Sequence, residues 1–566
     1  MKQINNKIMN NSYIKKGIII LQIIIIFLIS PVISPAQNEN NFEISKNLDI
    51  YASLIRDLNK YYVDEINSGE LTNIGIEAML ESLDPYTVFI PESRVEDYRI
   101  ITTGQYGGIG ALIHQNGDYV YISDPYEGFP AQKIGLLAGD KILELNQESA
   151  KGKSSKDIGK MLKGLPGTEV TLLIEREGED EPIEKLIVRE TIKLDNVPFY
   201  GMLNENIGYI LLNSFTQNAS NEARKAYIDL KDNNDLQGLI FDLRGNGGGL
   251  LHESVNIANF FVDKGEIIVN TKGKLKEKSG VHKTRNMPID KNIPLVFLVN
   301  SRSASASEIL SGAMQDVDRA VIVGQRTFGK GLVQNVLPLS YKSQMKITVA
   351  KYYIPSGRCI QAIDYSHKDE DGNFTKIPDS LISEFQTKNG RSVYDGGGIE
   401  PDVVLEPRKH SNIAMNLIMK FYIFDYATKF HHKHPEKPSQ EDFIITDEIY
   451  SDFLDFLNDK DCNYTTRSEV ALKKLKKSAE SENYYAEIKE EFETLEEAIK
   501  QNKQEDIQKH SSEIKKLLKS EILSRYYFQK GRIEAAIDDD PEIFEAISIL
   551  EDIDRYNNIL SGSIEE

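Results

Sequence analysis

Histidine is scarce here and absent from the segment where serine chemistry would need it. The chain has nine histidines in 566 residues, and none falls between His282 and His367, the stretch holding its most reactive-looking serines. A local Ser-His pair therefore has no support. Cysteine is scarcer, with only Cys359 and Cys462. These two make no metal-binding spacing, and His431, His432 and His434 bring no thiol or carboxylate at useful spacing, so no metal site is expected. Nothing in the sequence places the two cysteines together, and free thiols are a simpler expectation than a disulfide. Basic charge is also in deficit: 67 Lys and Arg stand against 87 Asp and Glu, a formal net charge of -20. Without a basic stripe and interleaved aromatics, a nucleic-acid partner is not expected. Short-period repeats are missing too, which argues against a solenoid.

What is present begins with a targeting signal. Lys2, Lys7, Lys15 and Lys16 precede an apolar run over 17–33, followed by Ser34-Pro35-Ala36-Gln37. A basic region, an apolar region and a small-x-small site make a secretory signal, with cleavage expected after Ala36. Retention as a single membrane anchor is the alternative, because the run lies near the lower length limit for a spanning helix. Either way, the chain is exported to the periplasm or cell envelope, and the anchor would associate it with the inner membrane.

After residues 1–36, the texture changes four times. Residues 37–100 read as a helical region, with Leu48, Tyr51, Ile55, Leu58 and Tyr62 on one face of a helix over 42–62. Residues 101–190 read as short strands. Residues 191–409 read as an α/β layer, because the apolar runs 207–212, 236–242, 294–300 and 320–324 suit strands buried on both faces. Residues 410–566 read as a charged helical region, a solvated appendage with one buried stripe.

Within 101–190, Gly107-Gly108-Ile109-Gly110 runs into an alternating strand, and Ala138-Gly139-Asp140-Lys141-Ile142-Leu143-Glu144-Leu145-Asn146 follows later. This order resembles a PDZ domain. The resemblance implies that Gly107, Gly108, Ile109 and Gly110 offer backbone N–H groups to a peptide's terminal carboxylate, while the peptide adds a strand to the sheet edge.

The chemistry concentrates in three segments. Asn300-Ser301-Arg302-Ser303-Ala304-Ser305-Ala306-Ser307-Glu308-Ile309 follows a buried strand and opens a helix. Ser305 then stands where unpaired N–H groups and the positive helix end suit a developing oxyanion. Ser305 to Glu308 also spells a capping box, in which the serine only satisfies the helix terminus. Thr327-Phe328-Gly329-Lys330-Gly331-Leu332-Val333-Gln334 supplies a lysine among glycines. It nearly spells a phosphate-binding loop, but Gly331 replaces the hydroxyl that would hold Mg²⁺. As a base, Lys330 needs a depressed pKa, and apolar walls from Phe328, Leu332 and Val333 are the expected cause. The Gln334 side-chain oxygen could orient the amine. Third, Asp242-Leu243-Arg244-Gly245-Asn246-Gly247-Gly248-Gly249 offers backbone amides on a glycine turn, with Asp242 and Arg244 as a structural ion pair.

Together and in this order after a PDZ-like domain, the three segments resemble the C-terminal processing peptidases (tail-specific proteases), over roughly 71–407. The resemblance implies a multidomain α/β protein. Its crotonase-like α/β peptidase core would carry an inserted PDZ-like domain, with helical N- and C-terminal regions. It implies a serine endopeptidase with Ser305 as nucleophile, Lys330 as general base and Gln334 orienting the lysine. The N–H of Ala306 and that of Gly248, with a shift of one residue allowed, would form the oxyanion hole. The implied partners are proteins or peptides with a free C-terminus, no cofactor is needed, and an oligomer is compatible with the sequence.

Overall fold

The computed structural model describes residues 35–563. The basic and apolar parts of the expected signal lie outside them. Among the described residues, no helix is long and apolar enough to cross a membrane. The chain divides into two compact units after Ser82. The first contains the helices Pro35–Tyr61 and Ser68–Glu81, the second of them capped by Asn67, whose side chain accepts from the Gly69 and Glu70 N–H groups.

In the second unit, the four apolar runs form the centre of a six-stranded sheet. Its order is Phe199–Met202, Ile207–Leu211, Gly238–Asp242, Leu295–Val299, Val321–Gly324 and Val403–Val404. The first pair is antiparallel and every later pair is parallel. Because strand side chains alternate, each run feeds two cores. Leu239, Phe241, Leu295, Phe297 and Ile322 face the helices Ala219–Asn233, Leu251–Ala258 and Ala306–Asp316. Ile240, Val296, Leu298, Val321 and Val323 face the other way.

What covers that second face corrects the reading of 410–566. The helices Pro541–Glu551 and Ile553–Ser561 place Ile543, Ala546, Ile549, Leu550, Tyr556 and Ile559 directly on it. The C-terminus is thus a layer of the α/β core, not an appendage. Arg244 locks it on: its guanidinium binds Asp242 at 2.5 Å, as expected, and also Asp540 and Glu542 at 2.7 Å each. Removing that cation would leave three mostly buried carboxylates without it. Arg244→Ala is therefore expected to lower unfolding free energy by about 3–5 kcal/mol. Urea denaturation measures this, and a loss below about 1 kcal/mol would show the cluster to be unimportant.

The rest of the C-terminal region has its own core, with Leu417, Phe453, Ile514, Leu518 and Ile522 among its buried residues. It also docks on the strand-rich domain. Arg532 binds Asp124 at 3.1 Å, and the His114 ring stacks on Phe421 at 4.1 Å. The strand-rich domain is a sheet ordered Ala111–Asn116, Tyr119–Pro125, Lys141–Leu145, Glu169–Glu175 and Ile183–Val188, so Ala111–Asn116 is its edge.

A further sheet frames the candidate site. The long strand Gln344–Tyr353 pairs along one edge with Leu332–Pro338. Its other edge is shared by Val88–Ile90 and Ile267–Gly273. Residues 83–90, expected to belong to a helical region, thus contribute a strand to the sheet that carries the Lys330 motif, across Gln344–Tyr353 from it. Cys359 and Cys462 are both free thiols.

Candidate active site

Ser305 sits on a strained strand-to-helix turn. The strand Leu295–Val299 ends, and the helix Ala306–Asp316 starts with Ser305 as its N-cap at φ 56° and ψ -112°. A side chain held in this region costs roughly 1–3 kcal/mol, which surrounding contacts must offset. Such a turn lifts a hydroxyl out of the backbone. The neighbouring serines are engaged elsewhere. Ser303 Oγ donates to the Leu243 carbonyl at 2.8 Å, Ser307 Oγ donates to the Asn246 carbonyl at 2.9 Å, and both residues are fully buried. Ser305 alone of the three is not buried.

The glycine loop approaches this turn closely. A Cβ on Gly248 would lie 2.8 Å from Ser305 Cβ and 2.9 Å from the Ala306 nitrogen, so only glycine fits at its φ of 97°. The Gly248 N–H itself donates to Asn246 Oδ1 at 2.9 Å. Asn246 in turn donates through Nδ2 to the Leu212 carbonyl at 2.6 Å, tying the loop to the central sheet.

One residue does far more than its sequence position suggested. Glu308 returns the capping-box bond from the Ser305 N–H to its Oε2 at 2.8 Å. The same carboxylate accepts from the Lys330 N–H at 2.9 Å, and from Thr327 Oγ1 and the Gly329 N–H at 2.6 Å each. Glu308 is fully buried, and burial pushes its carboxyl up to about 7 against the pull of these four donors. Tyr352 makes a second bridge. Its hydroxyl donates to the Ser305 carbonyl at 3.2 Å and also to the Lys330 carbonyl. The serine turn and the lysine loop are thus joined at both their N–H and C=O groups.

The Lys330 amine lies 4.2 Å from the centre of the Tyr86 ring. Its pKa is lowered to about 8, chiefly by burial and also by Lys346, against the opposing pull of Glu308 and Asp84. Burial also depresses Lys346 itself. The expected apolar wall is only partly there: Leu332 is buried, but Phe328 is 50% exposed. Tyr86 and Lys346 were missed because they lie far from Lys330 in sequence. The only local signal is Asp84-Pro85-Tyr86, which by itself marks no more than a helix end. The glycines around Lys330 serve close packing. A Cβ on Gly329 would meet Ala362 Cβ at 2.4 Å, and one on Gly331 would meet the Gln361 nitrogen at 2.9 Å.

Gln334 lies on the strand after Lys330, and its Nε2 donates to Thr348 Oγ1 at 3.2 Å. That bond fixes the amide through its nitrogen.

The family model described as peptidase family S41 matches residues 206–367, a PDZ domain model matches 121–176, and the C-terminal helical domain of a probable PDZ-protease matches 413–550. The chain is 33% identical over 344 residues to a carboxy-terminal-processing protease of Bartonella bacilliformis, covering 60% of this chain and 79% of the other. The chain belongs to peptidase family S41. It is a serine protease with an S41 fold, a PDZ domain and a helical C-terminal domain. It is also 34% identical over 363 residues to a probable CtpA-like serine protease of Staphylococcus epidermidis, covering 63% of this chain and 72% of that one. Among solved structures it resembles a photosystem II D1 C-terminal processing protease at 28% identity, covering 63% and 92% of the two chains, with a TM-score of 0.35.

In this S41 peptidase, the glycine segment of the PDZ domain is arranged differently from the expected turn. Gly107 and Gly108 belong to the strand Gln105–Gly108, which pairs with Glu190–Lys193. The change of direction falls at Ile109 and Gly110, the latter at φ 74°, just before the edge strand Ala111–Asn116. The helix Ser155–Leu162 lies alongside that strand, where a Cβ on Gly159 would sit 3.8 Å from Ile113 Cδ1.

Proposed function

We propose that this S41 peptidase is an exported endopeptidase that cleaves proteins recognised by their C-terminal tails, using Ser305 and Lys330 as a catalytic pair. Neutral Lys330 removes the Ser305 proton, and Oγ attacks the scissile carbonyl carbon. The tetrahedral oxyanion is held by backbone N–H groups. As the C–N bond breaks, protonated Lys330 gives its proton to the leaving amine, leaving an acyl-enzyme. Water, deprotonated by the same amine, then releases the acyl group and restores Ser305. No cofactor enters these steps.

The observation that carries this reading is the Glu308 carboxylate, which binds the backbone of Ser305 and Lys330 together beside a buried, pKa-depressed amine. Ala306 N–H and the glycine loop at Gly248 are the proposed oxyanion donors. The Gly248 N–H serves once its bond to Asn246 is shared or released, and a shift of one residue along the loop is the alternative. The tail is proposed to extend the PDZ sheet along Ala111–Asn116, with its carboxylate at Ile109 and Gly110 beside Gly107 and Gly108. Export rests on the basic and apolar N-terminal pattern. Membrane association by a retained anchor and an oligomeric state belong to the same proposal.

A base near pKa 8 sets the pH dependence. Below that value Lys330 is charged and cannot accept a proton, and at pH 7 only about a tenth is neutral. The kcat/KM for a peptide is therefore expected to rise with pH through about 8. Gln334→Ala should lower kcat by roughly 10- to 100-fold and move that midpoint, because the amine loses its orienting partner. A pH profile identical to the unsubstituted enzyme would remove Gln334 from the site. Covalent labelling by a serine-directed acylating probe, mapped by mass spectrometry, tests the nucleophile. Adduct on a serine other than Ser305 would refute the assignment.

A further inference from the structure

The helix Leu251–Ala258 begins two residues after the glycine loop, and the strand Gly280–Lys283 is the last of its sheet. Between them lies a cleft of about 560 Å³, within the range of ligand-binding pockets. Val255 and Val281 give it apolar walls, and among the described residues the ionisable groups lining it are His252, His282, Lys283 and Arg285, with no carboxylate. Glu253, whose Oε1 lies 3.4 Å from His252 Nε2, is buried and turns its other oxygen to the Ser220 N–H.

We infer that this cleft binds an acidic segment of the polypeptide substrate, close to the scissile bond; the inference rests on the proteolytic reading above. Three observations support it. First, the charge is unusual for this molecule. A chain of net charge -20 repels an acidic polypeptide over most of its surface, and a concave cationic site focuses the opposite field. Second, the place is right. Gly248 abuts Ser305, and the four residues from Gly248 to His252 span at most roughly 14 Å. Third, the wall is built to receive extended chain. Gly280–Lys283 pairs only with Ile267–Gly273 among the described strands, which leaves its outer N–H and C=O groups for an added strand. Its continuation is held firm, because Asn259 Oδ1 accepts from the Arg285 and Asn286 N–H groups at 3.0 and 2.8 Å. Lys283 and Arg285 supply the fixed charge, and the imidazoles add hydrogen bonds.

The test uses full-length Ser305→Ala protein, so that bound peptide is not turned over. Two fluorescent peptides share one sequence except for an Asp/Glu stretch replaced by Asn/Gln, and both have amidated C-termini to keep them off the PDZ turn. Fluorescence anisotropy at low salt should give about tenfold tighter binding of the acidic peptide, an advantage that fades as salt screens it. Adding Lys283→Glu and Arg285→Glu should bring the ratio of the two affinities to about one or invert it. Adding Lys283→Gln and Arg285→Gln instead should give an intermediate ratio without introducing repulsion. Far-UV circular dichroism and urea denaturation matching those of Ser305→Ala exclude loss of folding as the cause of a ratio near one in either variant. Equal affinity for both peptides in Ser305→Ala, or a ratio untouched by charge reversal, would overturn the inference. Cleavage of the neutral peptide by the unsubstituted chain tests the proteolytic reading separately.

Discussion

Ser305→Ala and Lys330→Ala should each lower kcat/KM for peptide cleavage by about 10⁴- to 10⁶-fold, with little change in substrate affinity. The reason is that neither group acts alone. A serine hydroxyl is a weak nucleophile without a base, and the amine has no bond to make without the hydroxyl. The double variant should therefore be no worse than either single one. Lys330→Arg should not rescue activity, because a guanidinium stays protonated at any working pH. These outcomes separate a catalytic pair from two independent structural residues. Additive losses in the double variant, or substantial activity in either alanine variant, would sink the assignment.

Glu308 carries the second large effect, and it acts through position. Glu308→Ala would leave the N–H groups of Ser305, Gly329 and Lys330 and the Thr327 hydroxyl without their acceptor in a dry site. Each buried, unsatisfied donor costs about 1–3 kcal/mol, so a loss of about 3–5 kcal/mol in unfolding free energy is expected after partial relaxation. Activity should fall with it, because the serine turn and lysine loop lose their common anchor. Glu308→Gln is the sharper probe. It keeps the shape but offers one acceptor oxygen and turns an NH₂ group toward donors. It also removes a negative charge that raises the Lys330 pKa. Maximal kcat should fall by about 100-fold while the pH midpoint moves below about 8. A midpoint that stays put while kcat falls would reduce Glu308 to a purely structural role.

The candidate site was unevenly legible. The segments holding Ser305, Lys330 and Gly248 announced themselves by composition, since small residues and glycines cluster where backbones must approach closely. The bridging by Glu308 was half legible: its bond to Ser305 is local and readable as a capping box, but its bonds to Thr327, Gly329 and Lys330 are not. Phe328 shows the opposite failure. An aromatic next to the lysine was the natural wall, yet it is half exposed, and Tyr86 stands over the amine instead. Local sequence cannot report which distant aromatic fills a position.

Periodicity told strand from helix because side-chain direction repeats every two residues or every 3.6, a property of the local chain. The runs 207–212, 236–242, 294–300 and 320–324 stood out differently, as unbroken apolar stretches of strand length, while the helical texture after 410 followed from the 3.6-residue period. Which surface those helices meet was decided by tertiary structure alone. The stripe bearing Ile543, Ile549 and Tyr556 covers the sheet face of Val296 and Val323, chiefly through apolar area. Burial is non-directional and carries no address along the chain. Arg244 with Asp540 and Glu542, and Lys330 with Tyr86 and Lys346, follow the same rule: the residue types were plain, and only folding chose the partners.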